Sequence, residues 1–192
     1  MTAAAASRPR PVVTIVVESL FGNTRQIAEA IADGIREELP VSVIPVGEAS
    51  ALAECEVLLV GAPTHAHSLS SPASRSEAER WARDPAKHLR LAVDSDATGV
   101  REWLEHAPSA SLGSVAFDTR VDMPRIFTGS AATAIARRLK KRGLHEIVYP
   151  ESFLVDKDSR LLPTELDRAH RWGREIAGAA LARDAHVLPV QG

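Results

Sequence analysis

The sequence is poor in the residues from which many functional sites are built. It holds one cysteine, Cys55. A single thiol closes no internal disulfide and makes no clustered zinc site, and it fits a reducing compartment. Aromatic residues make up 4%, with three Trp, one Tyr and four Phe, so any site built on flat aromatic platforms must draw on very few side chains. No stretch approaches the roughly 18 apolar residues of a membrane span. Residues 12–17 and 57–60 are apolar runs of strand length only. Charge of one sign is missing as well: 23 Lys+Arg against 25 Asp+Glu leave a formal net charge of -2. There is thus no global basic field for nucleic acid or anionic lipid, and no helix-turn-helix or aromatic-basic surface stands out. These absences point to a cytoplasmic protein with neither nucleic acid nor membrane as a partner.

The 192 residues are 45% hydrophobic and 25% charged, as expected of one globular domain. Residues 1–10 read as a disordered leader, 11–184 as the domain and 185–192 as a loose tail. Within the domain, two hydrophobic patterns alternate. Residues 11–17 form a continuous β-branched run, suited to a strand covered on both faces. A helix pattern follows over 23–39, with Ile27, Ala30, Ile31 and Ile35 at three-to-four spacing and Pro40 as a stop. Further strands are expected at 41–46, 56–60, 114–117 and 145–149, the last resuming at 152–155 after Pro150. A short helix is expected at 49–53, and longer ones at 130–142 and 164–183. Residues 68–111 carry two helix-like pieces, 75–83 and 98–106, and read as a candidate insertion. Repeated β-α-β with short connections predicts an α/β fold with a parallel sheet and helices on both faces, whose ligands bind at the carboxyl ends of the strands. The loops after Val17, Val60 and Phe117 should therefore carry the chemistry.

The first of these loops reads Glu18-Ser-Leu-Phe-Gly-Asn-Thr24. A helix start exposes unpaired backbone N–H groups and the positive end of the helix dipole. Hydroxyls and a glycine at this turn can enclose a phosphate without lysine. Ser19, Asn23 and Thr24 offer side-chain hydrogen bonds, and Gly22 permits close backbone approach. Simple capping of the helix by Asn23 or Thr24 explains the same residues. The loop is neither the lysine-containing G-x-x-x-x-G-K-[ST] motif nor the three-glycine dinucleotide fingerprint, which disfavours ATP, GTP or a conventional NAD site here.

Ser19-Leu20-Phe21-Gly22-Asn23-Thr24 resembles the [ST]-x-[ST]-G-x-T phosphate loop of flavodoxins, except that Phe21 replaces one hydroxyl. The resemblance extends in number and order of elements from Val12 to about Ala182. It implies a flavodoxin-like three-layer sandwich, with a five-stranded parallel sheet in the order 2-1-3-4-5, and FMN held by its phosphate at residues 19–24. After the third strand, Gly61-Ala-Pro-Thr-His-Ala resembles the G-x-P-T-R-F-G segment of flavodoxin-like quinone reductases, which walls the isoalloxazine ring. By that resemblance Pro63, Thr64, His65 and Ala66 lie beside the ring, with His65 in place of the arginine and Ala66 in place of the aromatic. The third segment, residues 117–124, replaces a glycine-rich turn. It brings Asp118, Thr119 and Arg120 to the ring's edge, where Thr119 would bond polar atoms and Arg120 would stabilise negative charge. Asp118 and Arg120 equally fit an ion pair with each other.

Other features have plainer readings. His65 and His67 with one distant cysteine are too few ligands for zinc. The basic run at 137–142 reads as a solvated helix face, and the three tryptophans, all in helical patterns, as packing residues. The resemblance implies redox chemistry carried by FMN, with either a redox partner protein or NAD(P)H and a quinone-like acceptor. Flavodoxins that carry single electrons keep a flexible glycine beside the ring, and residues 62–70 contain none. The absence favours two-electron, reductase-like chemistry. A flavodoxin-fold binding module that has lost FMN is the alternative, motivated by Phe21, Ala66 and Arg120.

Overall fold

The computed structural model describes residues 9–52, 54–65, 67–83, 91 and 98–187. The first strand, β1 (Val13–Val17), is buried throughout, as its unbroken β-branched sequence requires. It leads through the phosphate-type loop into α1 (Asn23–Arg36), whose buried face is Ile27, Ala28, Ile31 and Ile35. Strand β2 (Val41–Pro45) and a 3-10 turn (Val46–Ala51) follow. Next come β3 (Glu54–His65), the two-residue β4 (Ser68–Leu69) and α2 (Pro72–Ala82). The rest comprises α3 (Val100–Trp103), β5 (Ser109–Val121), α4 (Arg125–Thr128), α5 (Ala131–Lys141), β6 (Glu151–Val155) and α6 (Glu165–Val187).

The sheet runs β2-β1-β3-β5-β6, with every neighbouring pair parallel. The short β4 pairs antiparallel with the end of β3 and brings the count to six. Counting the parallel strands alone, this is the 2-1-3-4-5 order expected of the sequence. One core packs α1 and α6 on one face through Ile27, Ile31, Trp172 and Ile176. The opposite core packs α3 and α5 through Trp103, Ile135 and Leu139. Three layers result, with helices on both sides of the sheet.

One strand lies elsewhere than expected. Residues 145–149 make only an isolated bridge, Ser114 to Glu146, and the fifth parallel strand is Glu151–Val155. The ladder with β5 starts after Pro150, which has no N–H to give it, and Phe117 pairs with Glu151. Ile147 and Val148 still pack partly buried against the core, which explains why their apolar pattern resembles a strand. The strands on either side of the site are also longer than their apolar runs suggest. Val17 pairs with Gly61 at the end of β1, whereas β3 continues to His65 and β5 to Val121. Residues 62–65 and 118–121 therefore extend beyond the end of β1, beside the point where strand order reverses.

The scarce aromatics mostly build core. Phe117, Phe153 and Trp172 form an edge-to-face trio with ring centroids 5.8–6.4 Å apart, and the Arg168 guanidinium lies 4.3 Å from the Phe153 centroid. Trp103 is buried and donates its indole N–H to Ala49 O at 3.1 Å. Gly61 has no room for more: a Cβ there would stand 2.1 Å from Phe117 Cζ.

Candidate functional site

Helix α1 starts without a side-chain cap. Gly22 occupies the cap position at φ 88°, a left-handed conformation that glycine adopts without cost. The space beside it is open, since a Cβ there would meet only Gln26 Nε2 at 4.0 Å. The first turn carries no acidic residue. Ser19 Oγ accepts the Arg25 N–H at 3.2 Å, and Gly22 O accepts Gln26 N–H at 3.0 Å. Ser19, Leu20 and Thr24 are buried, while Phe21 and Asn23 are half-buried. Two loop side chains are tied down within the protein. Thr24 Oγ1 shares a hydrogen bond of 2.8 Å with Thr119 Oγ1, and Asn23 Nδ2 donates to Ser159 O at 2.7 Å.

The end of β5 distributes its side chains by strand alternation. Thr119 faces α1, whereas Asp118 faces α5. Asp118 is fully buried, and its Oδ2 accepts from Thr64 Oγ1 at 3.0 Å, Ser130 Oγ at 2.7 Å and Ala132 N at 2.9 Å. Thr64 Oγ1 in turn accepts Ala131 N–H at 2.8 Å. One carboxylate thus joins the ends of β3 and β5 to the first turn of α5, where negative charge complements the helix dipole. The other oxygen, Oδ1, is buried with no hydrogen-bond partner.

Arg120 does not pair with Asp118. Its Nη1 donates to Met123 O at 2.6 Å and weakly to Val121 O and Thr128 Oγ1, so it braces the turn after β5, and its Nε is buried without a partner. On the neighbouring loop, Pro63 pairs with Thr119 in the β3–β5 ladder and His65 pairs with Ser68 of β4. Burial pushes the His65 imidazole below its ordinary pKa, against a weaker opposing pull from Glu77, and favours the neutral ring. Ala66 lies outside the described residues. His67 takes φ 71° and bridges to Gly129, where a Cβ would stand 2.0 Å from His67 O. The loops after β3 and β5 therefore touch backbone to backbone. Met123, Ile126 and Phe127 are exposed on the β5 side of that contact and form an apolar rim.

Beneath the phosphate-type loop lies a polar cluster that the sequence reading missed. Glu18, the residue after β1, is buried and accepts from the Ser70 hydroxyl and from Val100 N at 2.8 Å. Arg75 reaches Ser70 Oγ at 3.1 Å and Glu102 at 3.2 Å, and Arg101 donates to the carbonyls of Leu69 and Ser70. Desolvation raises the Glu18 pKa, against the opposing pull of Ser70, the Val100 N–H and Arg75. The only sequence signal is an acid placed directly at the end of a strand buried on both faces.

Solved structures with the same architecture include a flavodoxin from the domain Archaea, at 18% identity, with 88% of this chain and 99% of that one covered and a TM-score of 0.52. A flavodoxin variant from Pseudomonas aeruginosa matches at 16% identity, 88% and 99% coverage and a TM-score of 0.58. The chain has a flavodoxin-like fold. The flavodiiron core of Flv1 from Synechocystis matches at 16% identity and a TM-score of 0.54, over 90% of this chain but 36% of that longer one. No protein-family model matches the sequence, and no curated protein matches it.

In flavodoxin-like terms the two ends of the site differ. The first turn of α1, with Gly22 left-handed, no competing cap and no carboxylate, has the donor set that a phosphate ester requires. Beyond the ends of β3 and β5 the surface is backbone, Pro63, His65 with its pKa lowered by burial, and the exposed Met123 and Phe127. Among the described residues no group of three or more His, Cys, Asp or Glu could hold a metal ion. No described helix is long and apolar enough to cross a membrane.

Proposed function

We propose that this chain is a flavodoxin-like redox protein that binds FMN, with the flavin phosphate at the α1 N-terminus and the ring between the loops after β3 and β5. The observation that carries the reading is the uncapped first turn of α1 behind a left-handed Gly22, open on its outer side. Ser19 and the backbone N–H groups of residues 20–24 would hold the phosphate. Pro63, His65 and Ala66 would line one side of the ring and the backbone of Thr119 and Arg120 the other, whereas the Thr64 hydroxyl and Asp118 are turned to α5 and do not reach it. Asp118 acts by fixing the distance between the loops, and Arg120 by bracing the turn that carries the rim. The flavin, once bound, supplies the electron or hydride chemistry.

A loop without glycine at residues 62–70 supports two-electron reduction, with NAD(P)H as donor and a quinone-like acceptor, over one-electron exchange with a partner protein. A cytoplasmic setting agrees with this chemistry. The test is reconstitution: FMN at micromolar concentration should give a yellow protein, raise Tm with ligand concentration as linkage requires, and accept two electrons in one step on anaerobic titration. One observation favours the alternative, a binding module that has lost FMN: the Thr24 hydroxyl and the Asn23 amide are already satisfied by Thr119 and Ser159. An unchanged Tm at saturating FMN selects that alternative.

A further inference from the structure

A cavity of about 550 Å³ lies beside the phosphate-type loop. It opens between the start of α1 and the segment that leads from β6 to α6. Asn23, which belongs to the phosphate-type loop, is part of its wall. A volume of this size falls within the range of about 300–1,000 Å³ typical of small-molecule sites, and exceeds the needs of a phosphate alone.

The outer wall is held in place. The Asp156 carboxylate accepts Asp158 N–H at 2.8 Å and Arg160 N–H at 2.9 Å, while Asp156 N–H donates to Arg160 O at 2.8 Å. Leu162 N–H returns to Leu154 O at 3.0 Å, and Asn23 holds Ser159 O from the other side. Among the described residues, two of the three non-glycine residues with positive φ lie in this wall, Ser159 at 58° and Thr164 at 72°. Such conformations are costly and persist only where surrounding bonds impose them, and they concentrate at functional sites.

The lining has the chemistry of a nucleotide pocket. Leu162 and Leu166 offer apolar surface for a base, and the amide of Gln26 and the carboxylate of Asp167 offer partners for base and ribose edges. Arg160 makes no ion pair among the described residues and is free to meet a second phosphate. We propose that this cavity takes the adenylate half of a dinucleotide flavin, so that the cofactor this chain prefers is FAD, its pyrophosphate running from the α1 N-terminus to Arg160. The inference rests on the proposed flavin site and extends it by one nucleotide.

The full-length protein, freed of flavin, is titrated with FMN, FAD and AMP separately, following flavin fluorescence and thermal shift. FAD is expected to bind at least about tenfold more tightly than FMN, and Leu162→Trp, which sets an indole where the base would lie, is expected to cancel that advantage and leave FMN affinity unchanged. Arg160→Ala should weaken FAD severalfold and FMN not at all. Equal affinity for the two flavins overturns the inference and leaves the FMN reading intact. Failure of both flavins overturns the two together. If AMP or NADPH binds the FMN-loaded protein and Leu162→Trp abolishes that binding, while FAD gains nothing over FMN, the cavity serves the electron donor and the proposal is refuted.

Discussion

Replacing Asp118 by alanine tests the most consequential packing decision in the molecule. In the native state one oxygen of a fully buried carboxylate receives two hydroxyls and the Ala132 N–H. In Asp118→Ala the buried Ala132 N–H loses its acceptor, which costs about 1–3 kcal/mol. The two hydroxyls lose bonds to a charged acceptor, each worth roughly 1.5–3 kcal/mol, but both can turn elsewhere: Ser130 toward solvent, Thr64 toward its own neighbours. Against these stands the relief of Oδ1, buried and unpartnered in the native protein. The balance is a loss of about 3 kcal/mol. For a chain of this size that is a Tm decrease of about 6–12 °C, at roughly 2–4 °C per kcal/mol. Asp118→Asn keeps one acceptor oxygen and should lose only about 1 kcal/mol. Urea denaturation of the three proteins at neutral pH measures both differences. A change under about 0.5 kcal/mol in Asp118→Ala, or an Asn variant less stable than the Ala variant, would refute the account of Asp118 as the clamp between β3, β5 and α5.

Three further outcomes follow from the packing and the charges. Because burial holds the Glu18 carboxyl above its ordinary value, the folded state favours the protonated acid, and Glu18's contribution to stability is complete below the unfolded pKa near 4.5 and is lost as pH rises through the folded one. Glu18→Gln should therefore gain Tm over the parent between about pH 4 and pH 8, and a difference that stays flat or reverses across that range would disprove it. Gly61→Ala drives a methyl into the Phe117 ring and should cost about 1–3 kcal/mol in urea denaturation, with no cost counting against the packing described. Burial and the neighbouring Glu56 push the Cys55 thiol up to about 11, so labelling with a thiol reagent near pH 8 should run about 100-fold slower in the native protein than in urea. Equal rates would place Cys55 in solvent as an ordinary thiol.

The fold was legible where one face or both faces of an element are buried. The β-branched run of β1, the three-to-four spacing of α1 and the Ala/Ile/Leu face of α5 each dictate an element, and their alternation dictates the layers. Residues 145–149 misled because Ile147 and Val148 are apolar for packing, while the ladder is decided by backbone register beyond Pro150. The phosphate-type loop was legible because its chemistry is local, a glycine and hydroxyls at a helix start. The Asp118 and Glu18 clusters were not, since their partners come from positions as distant as Ser130 and Val100 and no spacing announces them.

The segment after β6 does more than enclose a cavity. Strand β6 is the last of the sheet, and its outer edge would present unpaired backbone groups to any other strand it met. Residues 160–162 fold back along that edge, Val155 bridges antiparallel to Leu161, and the Glu165 carboxylate takes the Leu154 N–H at 2.9 Å. The same turn of chain that leaves room for a ligand thereby ends the sheet, so any change that loosens it exposes an open β-edge and invites aggregation of one copy on another.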